Sequence, residues 1–374
     1  MPAVEPMAPH RTGVRGGDPA LQRGEFVMSV CNACRYCEQY CPVFPAMEQR
    51  LSFAKADLQY LANLCHNCGE CLYACQYAPP HEFGINVPRT LAEIRLQSYE
   101  DYCWPRALAV AFRRQGVFTA TALAVVFSVV ILLATQRLNP QAFSQPATSA
   151  DFYGVVPHGT MISLFGAVFV FVIAALAAGI RRFWKGVGSH VSRTPGSGRQ
   201  ALADVLSLRH LRGSGVDCTT AEETRRPWRR WCHHSTFYGF MLCFASTSVA
   251  AVYHTFFNWR APYAYTSVPV VLGTAGGIGL LIGTVGMLVV RTRRDHALGD
   301  PAQSGLDDSF IVLLFVTSLT GLVLLVLRHE AAMAALLAVH LGAVLALFLT
   351  LPYGKFVHGL YRAAALVKFR SETL

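Results

Sequence analysis

Polar and apolar positions change character once along the chain, near residue 115. Before that point they are interspersed; after it, apolar residues gather into long runs separated by basic segments. Between Gln49 and Leu64, the residues Leu51, Phe53, Ala54, Leu58, Leu61 and Ala62 recur at helical spacing, which predicts a helix there. A second amphipathic helix is predicted over Val87 to Tyr99, with Pro88 at an early position where its missing N–H costs nothing. Six later stretches, near 116–135, 158–180, 234–254, 268–290, 309–327 and 332–352, are apolar throughout. Each is long enough to cross a hydrocarbon core of about 30 Å, which takes about 20 helical residues. None alternates as a strand would, and lipid offers backbone amides no partner, so all six are predicted as transmembrane helices.

The chain thus divides into a polar, Gly- and Pro-bearing tail (1–27), expected to be disordered, and a soluble unit (28–115). Two spans follow (116–180), then a basic loop (181–233), then four spans with a C-terminal tail (234–374). Within the loop, Leu202, Val205, Leu206, Leu208 and Leu211 suggest a short amphipathic helix. It would lie on the membrane or on the soluble unit, or belong to a solvated linker.

Composition supports this division. The 374 residues are 53% hydrophobic and 14% charged, against roughly 25% charged for a soluble domain; a wholly soluble protein is excluded. A net charge of +10 would suit nucleic-acid binding, but its distribution has another explanation. With the N-terminus inside, the inner segments hold 29 Lys and Arg, and the outer segments hold only Arg137, Arg260 and Arg328. That is the asymmetry of a multi-pass inner-membrane protein with both termini cytoplasmic, and no nucleic-acid partner is required. The first 27 residues contain no apolar stretch of the kind a secretory signal needs.

Eight of the twelve cysteines form a doubled motif, Cys31-x2-Cys34-x2-Cys37-x3-Cys41-Pro42 followed by Cys65-x2-Cys68-x2-Cys71-x3-Cys75. Three closely spaced thiolates wrap one face of a cubane, and the fourth cysteine of such a run ligates the other cluster. The spacing therefore predicts two [4Fe–4S] clusters. Cys31, Cys34, Cys37 and Cys75 would hold the first, and Cys65, Cys68, Cys71 and Cys41 the second. Paired structural zinc sites are the alternative, but they use two spaced pairs of ligands each. Gln76 follows Cys75 where a proline would be usual; proline there is a turn aid and not a ligand. Cys103, Cys218, Cys232 and Cys243 stand alone and are expected to be packing residues.

Histidines within apolar spans are costly and suggest haem ligation. His340 and His358 are 18 residues apart, which places them on one helix face if the helix continues past Pro352. His233 and His234 begin the third span and His254 ends it. Matching depths pairs His254 with His340 at an outer b-type haem and His234 with His358 at an inner one. His233 and His158 are held in reserve. The alternative for His233, His234 and His358 is an interfacial position beside Trp231 and Lys355. The glycines at 273, 276, 277, 279 and 283 lie within a span with no preceding strand, so they indicate close helix packing and not a dinucleotide loop.

The segments CNACRYCEQYCPVFPAME, LCHNCGECLYACQYAPPHEFGINVPR, WCHHSTFYGFMLCFASTSVAAVYH and LPYGKFVHGLYR resemble the tricarballylate (citrate) utilisation protein B family, TcuB, over most of the chain. The resemblance implies a mainly α protein, with a ferredoxin-like di-cluster domain before a six-helix cytochrome b-like bundle. It implies an electron-transfer role. The reduced flavin of a soluble FAD-dependent tricarballylate dehydrogenase would pass electrons through two [4Fe–4S] clusters and one or two b-type haems to quinone, with substrate oxidation left to the partner. A related CobZ-type family, fused to a flavoprotein and acting in cobalamin synthesis, suggests the rival of a haem and iron–sulfur redox enzyme. A redox-sensing transporter is a further rival, but the spans offer few paired charges for a coupled site.

Overall fold

A computed structural model describes residues 18–143, 152–188, 195–212 and 228–373. Among them the chain is α-helical with short 3-10 turns and no strand. Residues 1–17 of the expected tail, and residues 189–194 and 213–227 of the basic loop with Cys218, lie outside the described residues.

The soluble unit contains α1 (Pro19–Cys34), α2 (Val43–Glu48), α3 (Lys55–Leu64), α4 (Glu70–Tyr73), α5 (Val87–Tyr102) and α6 (Arg106–Arg114). Helix α1 starts within the segment assigned to a tail. Asp18 caps it by accepting from the Ala20 N–H at 2.9 Å, and Val27 and Met28 are buried. The Asn86 side chain caps α5 by accepting from the Arg89 N–H at 3.0 Å. The apolar stripes of α3 and α5 meet through Leu58, Leu61, Leu91 and Ile94, all buried, so the two predicted amphipathic helices form the core of this unit.

The six spans are α7 (Gly116–Leu138), α9 (His158–Val187), α11 (Trp228–Phe257), α12 (Val268–Thr292), α13 (Ser304–Val326) and α14 (Met333–Thr350), with short α8 (Phe152–Val155) and α10 (Ser197–Ser207) between them. Exposed Val125, Val126, Val130 and Leu133 on α7 form the kind of face that lipid covers. Helices α11 and α12 approach closely. A Cβ on Gly239 would lie 2.9 Å from the Gly276 carbonyl oxygen, and one on Gly276 would lie 2.8 Å from the Cys243 nitrogen. Ser235 Oγ donates to the Gly279 carbonyl at 2.7 Å across the same seam. The glycine run is therefore a helix-packing surface.

Helix α14 does not continue past Pro352. The chain turns at residues 351–356 and restarts as α15 (Val357–Thr373), because proline has no N–H to continue the ladder. Helix α15 leaves the bundle and packs on the soluble unit, where Arg50 pairs with Glu372 at 2.8 Å and the Tyr60 hydroxyl donates to Glu372 at 2.9 Å. Helix α10 packs on α15, held by Arg370 Nε donating to Asp204 at 2.7 Å; this is where the loop's amphipathic helix finds its partner. The α12–α13 connection also reaches the soluble unit. Asn86 donates to the Ala297 carbonyl at 2.8 Å, and a Cβ on Gly69, at φ +94°, would meet Leu298 at 2.9 Å. The cysteine-rich unit, this connection and the C-terminal helix thus share one end of the bundle.

Candidate functional site

The eight cysteines sit at turns between short helices. Arg35 (φ 54°), Asn67 (φ 55°) and Gly69 (φ 94°) take left-handed conformations that turn the chain between consecutive thiols. A cavity of about 220 Å³ is lined by Cys31, Cys34, Cys37, Cys71 and Cys75. A smaller one is lined by Cys41, Cys65, Cys68 and Cys71. Each fourth cysteine has therefore crossed to the opposite run's cavity: Cys75 stands with Cys31, Cys34 and Cys37, and Cys41 with Cys65 and Cys68. No three His, Cys, Asp or Glu side chains among the described residues converge on a single ion; the thiols instead ring spaces.

Burial pushes the Cys31 thiol up to about 12, and repulsion from Cys75, Cys37 and Cys34 adds to it. Burial also raises Cys41 and Cys71 well above the usual thiol range, with further contributions from their neighbours. Gathered thiolates of this kind need a bound positive centre to ionise, as a coordinating metal provides. Main-chain N–H groups already point at the sulfurs: Val43 to Cys41, Glu70 to Cys68, Tyr77 and Ala78 to Cys75. Asn67 N–H also donates to Cys65 Sγ at 3.4 Å. These donors suit cluster ligands.

The membrane histidines are arranged differently from the depth-matched pairs. His233 on α11 faces His358 on α15, with ring centroids 6.1 Å apart and planes at 76°. His234 instead stacks on Tyr238 at 5.6 Å. Adjacent helical residues point about 100° apart, so only one of the two can face α15. Two imidazoles on one iron, each with a metal–nitrogen bond of about 2.0 Å, place their ring centroids about 6 Å apart. The His233–His358 pair fits that spacing.

At the other end of α11, His254 lies against His158 with ring centroids 3.5 Å apart and planes at 32°, and its Nδ1 is hydrogen-bonded to the Tyr153 hydroxyl at 3.2 Å. These rings are too close to hold iron between them, so they do not fit a bis-histidyl haem. His340 faces α13, where its Nδ1 is hydrogen-bonded to Thr320 Oγ1 at 3.1 Å and a Cβ on Gly321 would meet its ring at 2.9 Å. No ring contact joins His340 to His254 among the described residues, and the expected outer pair is not brought together.

The inner pair adjoins the second thiol cavity. Arg362, one turn beyond His358 on α15, donates from Nη2 to the Cys65 carbonyl at 2.7 Å and from Nε to the Asn63 carbonyl at 3.3 Å. Arg229, near the start of α11, donates to the His66 carbonyl at 2.7 Å, and Arg294 to the Asn67 carbonyl at 3.1 Å. These arginines counted only as inner-face charges in the sequence; nothing in their spacing marks a shared site.

Residues 25–101 match the family description "Citrate utilization protein B Fer4-like domain", and residues 113–374 match "Citrate utilization protein B". The chain belongs to the citrate utilization protein B family. A citrate utilization protein B of Escherichia coli is 52% identical over 349 residues, covering 93% of this chain and 91% of its own length. No solved structure matches the chain. The family membership agrees with the architecture seen here, an iron–sulfur type of domain joined to a helical bundle with six membrane-length helices.

Proposed function

We propose that this citrate utilization protein B is an electron-transfer subunit of the inner membrane, with both termini cytoplasmic. It would take electrons from the reduced flavin of a soluble dehydrogenase acting on tricarballylate or a similar acid, and deliver them to quinone through two [4Fe–4S] clusters and a b-type haem. The observation that carries this reading is the Arg362 contact, which joins the cysteine loop at Cys65 to the helix turn that bears His358. The family's Fer4-like match supports the cluster half.

When bound, these groups supply one-electron redox chemistry at potentials the protein tunes. Cys31, Cys34, Cys37 and Cys75 would hold the first cluster, and Cys65, Cys68, Cys71 and Cys41 the second. Amide donors at Val43, Asn67, Glu70, Tyr77 and Ala78 would steady the charge on the sulfurs. His233 and His358 would hold the haem iron. The Lys355 carbonyl accepts from His358 Nδ1, which fixes the tautomer and leaves Nε2 as the metal-binding nitrogen. Burial, with repulsion from Arg362 and Lys355, holds His358 well below the usual histidine range, so its ring stays neutral and able to ligate. Phe240, Phe310 and Phe356 pack together beside this turn and keep water from it.

Replacing Cys34 by Ser tests the proposal. Membrane insertion should persist while flavin-dependent quinone reduction stops; quinone reduction at the wild-type rate would contradict it.

A further inference from the structure

Around the 63–67 segment and the turn that bears His358 lies a group of cations, one buried and four half-buried: Arg95 on α5, and Arg229 on α11, Arg294 after α12, Lys355 before α15 and Arg362 on α15. They lie near enough to repel one another. Burial, then repulsion from Arg229 and Arg95, pulls Arg294 down to about 10; burial, then Arg95, does the same to Arg362. Burial draws Lys355 down to about 8, against the pull of Asp307 at 2.8 Å. Asp307 is shared, since Arg291 also pairs with it at 3.1 Å.

Three of the cations have a structural explanation. Arg229, Arg294 and Arg362 each donate to carbonyls of the 63–67 segment, where a cluster's negative charge would offset them. Arg95 does not share it. It is only 4% exposed, and neither its Nε nor its Nη2 has a hydrogen-bond partner. A guanidinium buried this deeply with two of its nitrogens unpartnered is costly unless an anion meets it. The planar fork of Arg is matched by a carboxylate, which can accept two of its N–H bonds at once.

We infer that Arg95, with Lys355 and Arg362 beside it, forms a carboxylate-binding site next to the turn that bears His358. Resting on the proposed function, the expected carboxylates are the propionates of the haem which the His233–His358 pair would hold; a free tricarboxylate is the other source of the same chemistry. Arg95 is then a positioning residue, which anchors the haem edge and sets the charge around it.

The test uses the full-length protein purified in detergent as wild type, Arg95→Met and Arg95→Lys. Haem, iron and sulfide per chain, the haem midpoint potential and equilibrium binding of labelled citrate are measured. With propionates as the occupant, Arg95→Met keeps its eight cluster irons but loses at least half its haem or shows a lowered midpoint, because removing a cation favours the oxidised iron; Arg95→Lys stays near wild type. With a free acid as the occupant, haem is unchanged and citrate binding falls at least tenfold in Arg95→Met. If both readouts match wild type, the site is overturned. A wild type without haem would sink the relay reading, and the citrate measurement would still decide the site. If Arg95→Met does not accumulate, Arg95→Gln carries the same readouts.

Discussion

His233 and His358 face each other with ring centroids 6.1 Å apart, although 125 positions separate them in the chain and only His358 lies beyond the last span. Their meeting depends on the break after α14, which turns the chain at Pro352 and brings α15 back under α11. Replacing either residue with Ala should remove bound haem from the protein, and His234→Ala should leave it in place, since His234 stacks on Tyr238 instead. The pyridine haemochrome assay on each variant checks this. Equal haem in His233→Ala and wild type would rule the pair out.

The crossed thiol arrangement makes a sharper claim than the loss of one cluster. Cys75 lines the cavity of the first run and Cys41 that of the second. Cys75→Ser should therefore perturb the same electron paramagnetic resonance signal as Cys34→Ser, and Cys41→Ser the same signal as Cys68→Ser. The opposite grouping would mean that each run keeps its own fourth ligand.

Close helix approach at Gly276 leaves no room for a side chain, since even a Cβ would lie 2.8 Å from the Cys243 nitrogen. Gly276→Leu should destabilise the bundle by about 1–3 kcal/mol or more. A lower melting temperature in detergent with unchanged iron content would be the expected signature, because the soluble unit does not contain this seam.

These cases show how much was legible in the sequence. The two cysteine runs, the glycine seam and all six spans could be read from local spacing, because a cluster loop, a GxxxG face and a lipid-crossing helix each leave a short-range pattern. Which histidines meet could not. Depth places His254 near His340, but the direction in which α14 faces is set by packing against Thr320 and Gly321 on α13. Choosing between His233 and His234 required knowing which face of α11 meets α15. The helical start of α1 at Pro19 was hidden by a polar composition that tertiary contacts of Val27 and Met28 override.

Docking of the C-terminal helix rests on Arg50, which pairs with Glu372 at 2.8 Å and with Asp57 at 2.8 Å, all three largely buried. Glu372→Ala leaves Arg50 with Asp57 alone as its ion-pair partner and the Tyr60 hydroxyl without its acceptor and should cost about 1–3 kcal/mol. Faster limited proteolysis of α15 and a weaker hold on haem through His358 would follow. Unchanged proteolysis would show that α15 is anchored elsewhere.

The relay itself is tested most directly by a dithionite-reduced minus oxidised optical spectrum of the purified protein, with haem and iron counted per chain. A single b-type α-band, one haem and about nine irons, eight of them in clusters, is the expected result. Eight irons with no haem would contradict the central claim, because the His233–His358 pair would then be packing and the electrons would have to leave from the clusters.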